Sequence, residues 1–424
     1  MPPVESRDPC PAASGYHAAS VSAARRNALS PVGRIGRYDL LGRIATGGMA
    51  EIYLARETGP RAASRELVVK RLLPQVAHDP GLIEMFINEA RLCMRLRHPH
   101  ICPIYEFGEQ DGEYFLAMEW VHGVPLASLA KRAGVIPVPF VAKILSDVAA
   151  ALHHAHTATD EHGEPLRIVH RDVTPENIML GFDGQVKLLD WGIAKARTQL
   201  DKTQHGVLKG KFAYMSPEQY RGEELDGRAD VFSLGVCLYE LATGEPLFAR
   251  DNEYKTVAAI VLEQSVPSMR DVRTELPEEL DLVAQRALAK DREARFATAE
   301  DMQHALDTFL VQGRHVVRDS HVAGMLKSLF ADRIDGPELD RTPVSFGRGV
   351  PADSLSATER ADLSAHLDEV EGALETAGRR KRLAVGLAAA LLVLVTVAAV
   401  SLMALRDRPA ASHPAPDGET AAPR

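Results

Sequence analysis

The chain has 424 residues, 46% hydrophobic and 25% charged, values of a protein that buries a core rather than a disordered, collagen-like or disulfide-stapled one. A formal net charge of −9 and only 5% aromatic residues argue against nucleic acid as a partner, which asks for a basic face and stacking rings. The four cysteines, Cys10, Cys93, Cys102 and Cys237, follow no C-x-x-C or zinc-finger spacing and read as reduced thiols, with no metal site implied.

Residues 1–35 are rich in Pro, Ala, Ser and Gly without an apolar period, and are expected to be a flexible N-terminal segment. Over 36–312 strand-like and helix-like patterns alternate with short polar breaks, as in one large soluble domain. Strand-like 38–41 and 52–55 flank the run Ile44, Ala45, Thr46, Gly47, Gly48, Met49, Ala50, Glu51, Ile52. A hairpin of such small residues lets backbone N–H groups approach a phosphate with no side chain in the way, although a Gly-Gly pair is by itself an ordinary turn.

Lys70 closes the apolar strand 67–70, where a lysine ordinarily snorkels to the surface. The following segment argues for another role. Asp79 and Pro80 are a good N-cap and first-turn pair, and the predicted helix carries an apolar stripe of Leu82, Met85, Phe86, Cys93 and Leu96. Glu89 falls on that same inward face, where a carboxylate is costly unless a cation meets it; Lys70 is the expected partner.

Further on stands His170-Arg171-Asp172-Val173-Thr174-Pro175-Glu176-Asn177, then strand-like 178–180, then Gln185 to Gly192 with Asp190 inside it. Oxygens of Asn177 and Asp190, presented at the ends of short apolar strands, suit Mg²⁺ with bound phosphates, and Asp172 on the intervening loop can accept a hydroxyl proton. A lone Asp-x-Gly is far more often a turn; the conjunction lifts the signal.

Beyond the domain, 313–382 is charged, with short helical patterns such as 357–377, and is expected to be a juxtamembrane linker. Residues 383–405 hold no charge and are apolar on every face; as a helix they would extend about 34 Å, enough for a hydrocarbon core of about 30 Å. Arg379, Arg380, Lys381 and Arg382 flank the run on one side and Arg406 on the other, which marks a transmembrane helix rather than a core helix. The N-terminus shows no apolar signal stretch, so residues 1–382 are expected in the cytoplasm and 406–424 as a short extracytoplasmic tail.

In their order these segments resemble the signature set of protein kinases: glycine-rich loop, strand lysine, helix glutamate, H-R-D-x-x-x-x-N and D-F-G. Tyr214-Met-Ser-Pro-Glu218 is similar to the A-P-E motif, and 290–296 resembles the segment whose arginine, here Arg295, pairs with that glutamate. The nearest class is the membrane-anchored bacterial, eukaryotic-like (Hanks-type) serine/threonine kinase. This resemblance implies an α+β, bilobal fold, a small β-rich N-lobe with helix C and a larger helical C-lobe, with ATP between them. The chain's one C-terminal transmembrane helix would then tether it to the cell's inner membrane.

It also implies roles. Backbone groups of 45–50 would cover the ATP phosphates, and Lys70, held by Glu89, would contact the α and β phosphates. Asn177 and Asp190 would hold Mg²⁺, and Asp172 would orient and deprotonate the protein hydroxyl. Met118 fits the gatekeeper position and Glu119-Trp120-Val121 the adenine-contacting hinge; Cys93, Ile104, His170 and Trp191 fit an internal apolar stack. Protein substrates bearing Ser or Thr follow, as does a possible homodimer for autophosphorylation in trans.

The departures from the pattern carry information. Ala45 and Ala50 replace two loop glycines, and Trp191 replaces the usual Phe of D-F-G. Thr174 stands where serine/threonine kinases carry a lysine, and Lys211 where they carry a threonine near it. A reciprocal exchange is expected, with the ammonium donated from the activation segment. Arg171 before Asp172 suits a phosphorylated activation segment, for which Thr203 is the first candidate and Thr198 the second. The alternative reading is a catalytically weak pseudokinase, a membrane-tethered interaction module.

Overall fold

Strand β4 (Glu66–Leu72) shows how the chain's alternation builds the first lobe. Leu67 and Val69 point to one face, into a cluster with Ile35, Tyr38, Leu40, Tyr53 and Phe115. Val68 and Leu72 point to the other, against Phe86, Ala90, Leu116 and Met118. Lys70 shares the parity of Val68 and Leu72, so period-two geometry alone turns it toward that second face. The computed structural model describes residues 29–58, 65–74, 80–191, 211–263, 265–337, 339–342 and 344, all within the unit Met1–Gly349.

β1 (Gly33–Ile35), β2 (Tyr38–Thr46), β3 (Ala50–Glu57) and β4 form an antiparallel sheet with β5 (Ile104–Gln110) and β6 (Glu113–Glu119), in the order β1-β2-β3-β4-β6-β5. Helix α1 (Pro80–Cys93) packs Phe86 and Ala90 onto the sheet's second face. This is the β-rich small lobe, carrying a helix on its sheet, that the resemblance implied.

A smaller sheet, β7 (Gly123–Pro125), β8 (Ile178–Gly181) and β9 (Val186–Leu188), lies where the chain enters the helical lobe. That lobe comprises α2 (Leu126–Ala133), α3 (Val138–His156), α4 (Pro217–Arg221), α5 (Arg228–Thr243), α6 (Glu253–Val261), α7 (Met269–Val272), α8 (Glu278–Ala287) and α9 (Ala299–Gln312). α3 buries Val141, Ala142, Leu145, Val148, Ala149, Leu152 and Ala155, one stripe at helical spacing. α5 is buried all round, from Ala229 to Thr243, apart from Glu240. It approaches α8 closely because Gly235 has no side chain; a Cβ there would come within 2.8 Å of Ala287 Cβ.

The chain does not leave the domain at residue 312. Helix α10 (Asp319–Leu329) buries Val322, Ala323 and Leu326, whose spacing forms a single apolar face, and Phe330 beyond it is 3% exposed. So the first part of the segment expected as a linker packs on the helical lobe. The remainder of that segment, the expected span 383–405 and the tail 406–424 lie outside the described residues, as does most of the N-terminal segment. Among the described residues no helix is long and apolar enough to cross a membrane.

Candidate active site

The segment from Ile168 to Trp191 runs through the interior, and a carboxylate from the most buried helix shapes it. Asp230 of α5 accepts the amide hydrogens of His170 at 2.7 Å and Arg171 at 2.8 Å, and contacts His156 Nε2 at 2.8 Å. Burial alone would raise this carboxyl, but the hydrogen bond with the His156 ring and the amide hydrogen of His170 hold it below the ordinary range. Arg171 sits at φ 67°, in the left-handed region, a conformation costing a non-glycine residue roughly 1–3 kcal/mol unless its surroundings impose it. Asp230 supplies that imposition.

His170 is fully buried, and its two nitrogens have distinct partners. Nε2 lies 2.9 Å from the Leu189 carbonyl and Nδ1 accepts the Asp172 amide at 3.3 Å. A single neutral tautomer, with the proton on Nε2, satisfies both. The ring packs at a tilt against Trp191, centroids 4.7 Å apart, and Trp191 is 3% exposed; Cys93 lies in the same core cluster and Ile104 packs against it. The four residues of the expected internal stack are thus brought together. The larger indole at Trp191 is accommodated.

Asp172 and Asn177 are both buried, and Asn177 Nδ2 donates to the Asp172 carbonyl at 2.7 Å and to its Oδ2 at 2.6 Å. Asn177, just before β8, also receives the Leu189 amide on its carbonyl, which ties it to the segment after β9 that carries Asp190. Asp190, at φ 49°, pairs through Oδ1 with Lys70 Nζ at 2.7 Å. Lys70, Asp172, Asn177 and Asp190 therefore form two bonded pairs, joined through the Leu189 amide on the Asn177 carbonyl. Asp190 is thus one partner of Lys70; the expected pairing of Lys70 with Glu89 of α1 lies outside the described residues, because the Glu89 side chain does.

The glycine-rich run is the β2–β3 hairpin, closed by the Gly47 amide on the Ala50 carbonyl at 2.8 Å, with Thr46 opposite Glu51 and Ala45 opposite Ile52. Met49 is drawn in: its carbonyl accepts the Leu73 amide, and its side chain joins Ile44, Ile52, Trp120 and Leu189 around Val68 and Met118. Glu51 points elsewhere, to Arg43 at 2.7 Å and Arg71 at 3.2 Å. In the hinge, the Glu119 carbonyl lies 3.6 Å from the Cys102 thiol and its carboxylate 3.0 Å from Lys187; Val121 follows it.

Val68 was missed in the sequence. It stands where the V-A-I-K signature has alanine, directly across from Met118, and so adds bulk to this apolar slot; the signature alone could have flagged it.

Thr174 is 1% exposed, and its hydroxyl has no hydrogen-bond partner among the described residues. Lys211 opens the turn Lys211–Tyr214, with its side chain outside the described part, and Thr198 and Thr203 lie outside it altogether. Arg171 Nε is buried with no hydrogen-bond partner among the described residues. Behind the turn, Glu218 and Arg295 meet in a two-pronged ion pair at 2.6 and 2.9 Å, the pairing the motifs implied.

The oxygen donors fit a hard cation. Mg²⁺ is held by one or two carboxylate or amide oxygens with phosphates and water completing its shell, which matches Asn177 and Asp190. Among the described residues no three His, Cys, Asp or Glu side chains gather as a full protein cage, which such a site does not need.

Comparison with known proteins decides the lineage. The family model described as the protein kinase domain matches residues 38–306. The chain belongs to the protein kinase family. It is 45% identical over 279 residues to the tyrosine-protein kinase MasK of Myxococcus xanthus, covering 65% of this chain and 43% of MasK. With the serine/threonine-protein kinase PknB of Mycolicibacterium smegmatis it shares 35% over 314 residues, 72% of this chain and 48% of PknB. The crystal structure of the Mycobacterium tuberculosis PknI kinase domain superposes with a TM-score of 0.51 at 29% identity, covering 66% of this chain and 99% of that domain. The chain spans less than half the length of the curated relatives named here.

Proposed function

We propose that this kinase transfers the γ-phosphate of ATP, with Mg²⁺, to serine or threonine hydroxyls of proteins, itself included. The observation that supports the reading is the pair of bonds Lys70–Asp190 and Asn177–Asp172, joined by the Leu189 amide on the Asn177 carbonyl, which gathers an ammonium, two carboxylates and a side-chain amide in one place. Asn177 and Asp190 would hold the metal, which when bound neutralises charge on the phosphates. Lys70 steadies the phosphates of the nucleotide under the Gly47–Gly48 hairpin. Asp172 orients the acceptor hydroxyl and takes its proton as the oxygen bonds to phosphorus and the bond to ADP breaks. Asn177 aims that carboxylate through Oδ2.

Serine and threonine as acceptors rest on relatives such as PknB and on a loop unlike the A-A-R-N type of tyrosine kinases. A second reading, transfer to tyrosine, is favoured by the 45% identity to MasK and by Thr174 standing in place of the serine/threonine-kinase lysine. Phosphoamino-acid analysis of the autophosphorylated chain separates the two. The buried Arg171 Nε supports a phosphorylated activation segment, with Thr203 and then Thr198 as the acceptors. We read residues 383–405 as a single membrane span that keeps the kinase domain on the cytoplasmic face of the inner membrane, with a homodimer allowing transfer in trans. Autophosphorylation of the wild-type chain, compared with Asp172→Asn, tests the reading: equal incorporation in both would refute it, and none in either would favour the pseudokinase.

A further inference from the structure

The chain that follows α10 crosses from the helical lobe back to the nucleotide hairpin. It leaves the helical lobe firmly held: Arg132 donates to the Leu329 carbonyl at 2.8 Å, pairs with Asp332 at 2.6 Å, and lies 4.4 Å above the Phe330 ring. Gly336, at φ 117°, turns the chain. Asp340 then forms an antiparallel bridge with Arg43 of β2, amide to carbonyl in both directions at 2.8 and 2.9 Å. The Val344 amide donates to the Val32 carbonyl at 2.8 Å, Arg341 reaches the Ser30 carbonyl, and Val344 packs on the cluster of Ile35 and Tyr38.

The contact falls at the root of the hairpin. Arg43 divides its guanidinium between Asp340 and Glu51, and Glu51 is also held by Arg71 and the Tyr53 hydroxyl. Leu339 lies directly over Gly42: a Cβ at Gly42 would come within 2.8 Å of Leu339 Cβ and 3.3 Å of the Asp340 carbonyl, and its nearest neighbours are all from this segment. The absence of a side chain at Gly42 is what lets the segment lie flat. Beneath it is a cavity of about 440 Å³ lined by Arg43, Ile44, Arg333, Pro337, Leu339 and Asp340. None of Lys70, Asp172, Asn177 or Asp190 borders that cavity.

We propose that the described residues 330–337, 339–342 and 344 act as a strap that ties the helical lobe to the β2–β3 hairpin, with Leu339 and Asp340 as positioning residues for nucleotide binding. The inference rests on the ATP reading given above. A hairpin with little side-chain bulk of its own closes over phosphates only if its root is fixed, and the strap fixes it from outside the sheet. The exposed Arg43–Asp340 ion pair contributes little alone. The grip lies in the two main-chain hydrogen bonds and the Leu339–Gly42 contact. The working kinase unit then extends to residue 344, beyond the 38–306 of the family match.

Two variants of the full chain break the grip from opposite sides: Gly42→Val wedges it from the hairpin, and the double change Leu339→Gly/Asp340→Gly removes it from the strap. Both are expected to raise the KM for ATP about fivefold while kcat moves less than about twofold, in the range of ordinary coupling between sites. Both should also speed amide exchange over 42–52 in the nucleotide-free chain. If the strap-side variant leaves KM and exchange at wild-type values, the strap is refuted, even if Gly42→Val alone has an effect. If exchange rises in both but the wild-type chain transfers no phosphate, the strap stands and the ATP reading falls.

Discussion

Asp230 and Arg171 lie 59 positions apart, and the carboxylate of the first accepts the amide hydrogen of the second at 2.8 Å. The bond fixes a residue whose φ of 67° its neighbours in sequence cannot impose. Asp172 follows immediately, so the aim of the carboxylate proposed to accept the hydroxyl proton is set from the centre of the helical lobe.

Replacing Asp230 by Asn should therefore damage both fold and chemistry. An amide offers one acceptor oxygen, and its NH₂ would face a donor. The expected loss is about 3 kcal/mol of stability, as for a broken buried charged network. Phosphate transfer should fall by at least about a hundredfold as the loop loses its geometry. Urea unfolding and an autophosphorylation time course measure the two; transfer within twofold of wild type would contradict the assignment.

Glu218 and Arg295 offer a cleaner test of the lobe's integrity. Both side chains are almost wholly buried, at 5% and 0% exposure. Burial raises the Glu218 carboxyl, but the Arg295 guanidinium outweighs it and holds the group below its ordinary range. Glu218→Ala leaves a buried guanidinium without its counter-charge and should cost about 3–5 kcal/mol. Glu218→Gln/Arg295→Met should cost less than Glu218→Ala alone. Chemical denaturation of the three proteins decides it.

Acid should weaken the fold in two windows. Burial first, then the charges of His100, His154 and Lys187, hold His98 down at about 4, against about 6.5 when unfolded. Between those values the unfolded chain binds a proton that the folded chain refuses, so stability falls as pH drops from about 6.5 to about 4 and levels off below. The depressed carboxyls of Asp230 and Glu218 act lower: their contribution is present above about pH 4 and is lost as they protonate. His98 Nδ1 accepts the His100 amide, a bond that asparagine can imitate. His98→Asn should lose less stability than wild type between pH 7 and pH 5; equal losses in urea midpoint would contradict this.

The Thr174–Lys211 exchange makes its own forecast. Thr174 is buried with a hydroxyl that bonds to nothing among the described residues, so Thr174→Val should leave stability within about 0.5 kcal/mol. If Lys211 supplies the transition-state charge, Lys211→Ala should lower kcat at least about tenfold. Thr174→Lys/Lys211→Thr should then outperform Lys211→Thr alone. Normal turnover by Lys211→Ala would end the idea.

Local chemistry was legible in the sequence wherever it is written in contiguous residues. The hairpin around Gly47, the strand ending at Lys70 and the loop from His170 to Asn177 each carry their pattern within nine positions or fewer. Interactions that join distant stretches were legible only where a motif carries them, as for Glu218 and Arg295. Nothing next to Asp230 says which backbone amides it will hold, and a bridge between Arg43 and Asp340 spans 297 positions. The need of Lys70 for a carboxylate was legible; that Asp190, 120 positions away, meets it was not, since no local pattern places the two side chains together. The segment after residue 312 read as a linker because its high charge masks the short apolar face of Val322, Ala323 and Leu326.

The central claim is that Lys70, Asp172, Asn177 and Asp190 act together in phosphate transfer. Incubating the purified full chain with γ-labelled ATP and Mg²⁺, beside Asp172→Asn and Asp190→Asn, tests it most directly. Label should enter the wild-type protein and fall by at least about a thousandfold in both variants. Equal labelling of all three proteins would contradict it.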